Sequence, residues 1–192
     1  MAIDLLKATT EKLGYQPLKT VSSVNREVNE DANNAAQAII PSVLVAFLNL
    51  AETDDGLALI SNYNGNDWPT ILFNEKKNAA LENISKYSGF DNDQLIPEIN
   101  KASRTVVNII NEEVKGSSNY NSDIKNLLNS QRKVILDHLP VSLDMGTMLS
   151  NDTIDDHTTK MQGPFSSFVQ KITENFGKNE TDEELDKKSQ NF

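Results

Sequence analysis

His138 and His157 are the only imidazoles in the chain, so they bound the proton chemistry it can run near neutral pH. His157 stands in "TIDDHTT" behind Asp155 and Asp156, three ligand-type side chains for a divalent cation in a row. Neighbours in sequence rarely converge on one ion without donors from elsewhere, and the stretch reads first as a solvated polar loop. His138 falls in the last turn of an expected helix. The helix dipole favours a cation there, which argues for a structural role over a catalytic one. "ETDDG" and "NYNGND" bring oxygen ligands near glycine but lack the alternating positions and closing glutamate of a calcium loop. Phosphate-cradling glycine loops, nucleophile elbows and paired-histidine zinc motifs do not occur. With no cysteine, thiolate nucleophiles, disulfides and cysteine-ligated zinc are excluded. The sequence assigns no catalytic residue, no cofactor and no metal site. A hydrolase or metal-dependent enzyme, with His138 or His157 beside carboxylates, remains an alternative.

Binding chemistry is better represented. Phe165, Phe168, Ile172 and Phe176 recur at spacings of three, four and four, the signature of a helix laid into a groove. They form the candidate interaction surface, for a protein partner or for self-association, although the same stripe also describes a helix docked on its own core. Cations are scarcer. The net charge is −10, and no third of the chain is basic: residues 1–60 carry 4 basic and 8 acidic side chains, 61–120 carry 6 and 8, and 121–192 carry 8 and 12. Phosphate neutralisation supplies most of the affinity for DNA or RNA, so nucleic acid is disfavoured as a partner. A DNA-binding module would have to gather Lys76, Lys77, Lys101 or Arg104 on one face.

The elements that must position these groups are helical. Alternating strand patterns are missing, whereas spacings of three and four recur throughout. Ile3, Leu6 and Leu13 mark a first helix closed by Gly14, and Leu18, Val21, Val24 and Val28 mark a short one over Leu18 to Asn29. "AIIPSVLVAFLN" (38–49) is the most apolar stretch. It falls well short of the roughly 20 residues that span a bilayer, so it reads as a core helix capped by Asp31 or Asn33. Pro41 inside it predicts a kink, a break or a helix start. Thr53 or Asp54 caps a short helix through Ile60, and a segment from Trp68 ends near Phe73. A helix from Lys76 is closed by Gly89, and Asp91 caps a long one carrying Pro97. Lys115 to Ser122 is a polar linker and candidate hinge, followed by a helix from Asp123 to Leu139 that ends at Pro140. Leu143 to Leu149 forms one turn. The expected fold is all-α, an irregular bundle of about seven to nine helices over residues 1–149. A polar loop and amphipathic helix occupy 150–176, and a charged, disordered tail 177–192.

Three aliphatic–proline pairs, Ile40-Pro41, Ile96-Pro97 and Leu139-Pro140, and two capped units of similar layout suggest a degenerate internal repeat. "ANNAAQAIIPSVLVAFLNLAETDDGLALI", "ISKYSGFDNDQLIPEINKASRTVVNII" and "LLNSQRKVILDHLPVSLDMGTML" resemble the YidB-like family of bacterial proteins (domain of unknown function 937), over roughly residues 30–150. The resemblance implies an all-helical domain with a homeodomain-like arrangement of some helices, and DNA binding by fold analogy alone. It implies no activity and no site residue. "MAIDLLKATTEKLG" carries Asp4 and Glu11 early and does not look like a signal peptide. Taken together, the sequence reads as a non-enzymatic, cytoplasmic interaction or scaffold protein.

Overall fold

Local signals in the chain set the ends of its helices. The computed structural model describes residues 3–20, 32–145 and 149, and among these every regular element is an α-helix or a 3₁₀ turn. Asp4 opens α1 (Leu5–Lys12), its carboxylate accepting the Lys7 N–H at 3.0 Å. Next come α2 (Ala32–Leu50) and α3 (Asp54–Asn62), the latter behind Thr53, whose hydroxyl accepts the Gly56 N–H at 3.0 Å. Asp67 caps α4 (Trp68–Phe73), with Pro69 in the first turn, where its missing N–H costs nothing. A 3₁₀ turn, Asn74–Lys76, leads into α5 (Lys77–Ser88), which Gly89 closes in the left-handed region at φ 76°. In the capping box that starts α6 (Asn92–Glu113), the side chains of Asp91 and Gln94 each accept the other's backbone N–H. α7 (Tyr120–His138) and a 3₁₀ turn, Val141–Leu143, are the last elements described.

The apolar stretch is the centre of the fold. Every residue of α2 from Ala35 to Leu48 is buried, as are Leu50 and Ala51 beyond the half-buried Asn49. All six other helices pack against α2. A helix apolar on all sides demands this enclosure, and the amphipathic faces of its neighbours supply it. Leu95, Ile99, Val106 and Ile110 of α6 and Ile124, Leu128 and Ile135 of α7 close the interior. The turn from α2 to α3 is so tight that a Cβ on Gly56 would lie 1.8 Å from the Leu50 carbonyl oxygen. After α7 the chain returns inward through Leu139, Leu143 and Met145, and the Asn83 amide donates to the Leu143 carbonyl at 2.9 Å.

The all-α class expected from periodicity is the observed one, and no helix among the described residues is long and apolar enough to cross a membrane. Several local expectations need correction. α2 continues through Pro41, without a break or a new start there. The lost bond and ring clash cost about 3 kcal/mol, whereas burying each of Ile40, Leu44 and Phe47 completely contributes roughly 1.5–3 kcal/mol. Asn33 lies inside α2, so it is not the cap. Leu18 to Thr20 are not helical, because the Gln37 side chain uses both the N–H and the carbonyl of Lys19. The rest of that expected helix, residues 21–29, lies outside the described residues. α7 begins at Tyr120, ahead of Asp123, since the Tyr120 hydroxyl donates to Asn111 at 2.6 Å and anchors the first turn. The stripe of Phe165, Phe168, Ile172 and Phe176, the tail 177–192 and His157 also lie outside the described residues.

Candidate functional site

α6 buries one face and presents the other to solvent. Pro97, Lys101 and Arg104 recur on that outer face at helical spacing, all exposed, with Thr105 beside them. Together with Asn66, from the loop between α3 and α4, and the buried Asn100, they line an open depression of about 380 Å³.

The wall from the loop is held in place by aromatic packing and caps. The Tyr63 ring meets Trp68 edge-on at 4.9 Å, and its hydroxyl accepts the Asp67 N–H at 3.1 Å. Asp67 accepts the Thr70 N–H, and the Lys77 ammonium lies 3.4 Å from its carboxylate. Burial pushes the Asp67 carboxyl up, but Thr70 and Lys77 outweigh it and hold the group below the ordinary carboxylate value. The floor is Asn100. Its oxygen accepts the Trp68 N–H and its amide donates to the Ile96 carbonyl, both at 2.9 Å. Trp68 itself is 1% exposed and packs on Phe47 at 5.3 Å, and its indole N–H has no hydrogen-bond partner.

The two cations of the depression are in different states. The Lys101 ammonium is 3.6 Å from Glu98 and 5.7 Å from the centre of the Tyr15 ring. Tyr15 donates to Glu98 at 2.8 Å, and burial, reinforced by this carboxylate, pushes its phenol up to about 12. Arg104 donates to the side-chain oxygen of Asn66, a neutral acceptor. Among the described residues it has no carboxylate partner.

Of the groups singled out in the sequence, Lys101 and Arg104 come together at this depression. Lys77 is committed to Asp67 and to the Thr70 hydroxyl at 2.7 Å, while Lys76 sits in the 3₁₀ turn ahead of α5. His138 is elsewhere, at the end of α7, with Nδ1 2.8 Å from the Val134 carbonyl. The neighbouring Asp137 pairs with Lys133 at 2.6 Å. Among the described residues no group of three or more His, Cys, Asp or Glu is placed to hold a metal ion. Sequence reasoning missed Asn66, read there only as part of a turn, and Asn100, which belongs to the inner face of α6 by spacing. The one available signal was the pair of cations a helical turn apart. Comparison with known protein families, with curated proteins and with solved structures finds no match to this chain.

Proposed function

We propose that the protein is a non-enzymatic helical interaction module, working in a cytoplasmic setting, with a protein partner or a second copy of itself as its target. One observation carries the reading: among the described residues the buried Thr, Ser, Asn and Gln side chains all bond the chain's own backbone, and the Trp68 indole N–H is the one buried side-chain donor left without a partner. Thr9, Thr10, Ser42, Ser88 and Ser103 each donate to the carbonyl four residues earlier, at 2.7–2.8 Å. Gln37, Asn100 and Gln131 join separate segments. Reaction centres keep polar groups pre-organised toward a reacting atom, whereas these groups serve the scaffold. The aromatic stripe Phe165, Phe168, Ile172 and Phe176 is the proposed contact surface, since its spacing suits a helix-in-groove partner. The YidB-like kinship belongs to the same proposal.

Nucleic acid is not the target in this reading. Lys77 and Lys101 already face carboxylates, which a phosphate backbone would have to displace. Deleting residues 163–192 is expected to abolish self-association in sedimentation experiments and to abolish partner capture from the native host. A truncated chain that keeps its oligomeric state and its partners would refute the assignment of the stripe.

A further inference from the structure

We propose that the depression on α6 is an oxyanion site, which takes the phosphate monoester or carboxylate of a small acidic ligand with Arg104 as the recognising group. This inference is independent of the C-terminal stripe.

The charge pattern is the first argument. Lys101 and Arg104 stand one helical turn apart, and of the two only Lys101 has a carboxylate beside it, Glu98 at 3.6 Å. Eight cations of the described residues stand beside carboxylates, as in Lys12–Glu112 at 2.8 Å, Lys125–Glu52 at 3.1 Å and Lys133–Asp137 at 2.6 Å, whereas Lys19 and Lys115, like Arg104, form no ion pair among these residues. Arg104 is matched only with the neutral oxygen of Asn66. A guanidinium has five N–H donors in a planar fork, so most of its capacity is unspent. A charged oxygen forms bonds roughly twice as strong as a neutral one, so an arriving anion outcompetes the Asn66 amide.

Shape and neighbours narrow the ligand. The volume of about 380 Å³ lies in the range of small-ligand sites. Lys101 and Asn66 share the lining with Arg104, and Pro97 and Thr105 complete it. Asn100 has both ends of its amide committed, so the floor is rigid and coupled directly to the Trp68 backbone. Glu98 lies 3.6 Å from Lys101, and Asp67 follows Asn66 directly in the chain. They repel a long polyanion that must lie across the face but leave room for one anionic group. The geometry therefore favours a small molecule over DNA or RNA.

The test uses the full-length chain and the fluorescence of Trp68, its only tryptophan. Inorganic phosphate, phenyl phosphate and benzoate are titrated at constant ionic strength, with chloride as the control. The proposal expects a saturable change with a dissociation constant around 1 mM, the weak end of specific binding. Arg104→Gln should weaken it at least tenfold. Arg104→Lys, which keeps the charge and loses the fork, should weaken it less. Lys86→Gln, on α5 and paired with Glu82, should leave it unchanged. Phenyl phosphate binding more tightly than benzoate assigns a phosphate monoester, and the reverse order a carboxylate. A response equal to that of chloride, equal binding by Arg104→Gln, or Arg104-dependent binding of duplex DNA without any response to the small anions would overturn the proposal.

Discussion

Tyr15 shows how a single residue couples the N-terminal segment to α6. Burial and Glu98 together raise its phenol from 10.0 to about 12, because the neutral form donates the hydrogen bond and ionisation would set two anions side by side. Folding therefore favours the protonated phenol. Its contribution is fully present below the ordinary tyrosine value of 10.0 and is lost as pH rises through about 12. At neutral pH, Tyr15→Phe should cost about 1 kcal/mol, the net worth of one partly exposed hydrogen bond. The difference between wild type and variant in urea midpoint should stay flat through neutral pH and shrink between the two values. A gap that persists to the alkaline end would show that Glu98 does not govern this phenol. Nothing in the sequence marked Tyr15, since Glu98 is distant along the chain and no motif joins them.

Two long helices, α2 and α6, each contain a proline, and their surroundings make the two prolines inequivalent. Pro97 is exposed in the second turn of α6, while Pro41 is buried midway along α2. Replacing proline by alanine restores the backbone donor in both helices and is worth up to about 3 kcal/mol in a helix interior. Pro97→Ala should therefore raise stability by about 1–3 kcal/mol. Pro41→Ala also removes buried ring carbons, each worth about 0.8 kcal/mol, so its gain should be clearly smaller. Equal gains in urea unfolding would mean that the Pro41 ring contributes nothing to the core. Much at this scale was legible beforehand. Thr53, Asp91 and Gly89 were readable as caps, and Trp68 as the start of a brief segment that the structure shows to be helical, because capping depends on residues three or four apart. The continuity of α2 through Pro41 was not legible, because it depends on how much burial surrounds the proline and not on the proline itself.

The described residues form an enclosed helix with others packed against it, and a few polar staples lock the packing. Gln37, on α2, accepts the Lys19 N–H at 2.8 Å and donates to the carbonyls of Lys19 and His138 at 3.0 and 2.8 Å. One side chain thus holds the segment after α1 and the end of α7 against the central helix. Gln131, on α7, accepts the Leu5 N–H at 3.1 Å and ties the start of α1 to α7. Gln37→Leu should cost roughly 1–3 kcal/mol, the desolvation penalty of backbone groups left unpaired. It should also speed hydrogen exchange at the Lys19 amide. Unchanged exchange there would indicate that the segment is held by other contacts.

Helix class, most helix ends and the identity of the core stretch follow from the order of residues, since periodicity and caps are local and need no knowledge of the fold. What surrounds α2, which glutamines bridge distant segments and how Asn66 meets Arg104 were decided only in three dimensions. Those contacts join residues far apart in the chain, and only packing around the central helix brings them within hydrogen-bonding range.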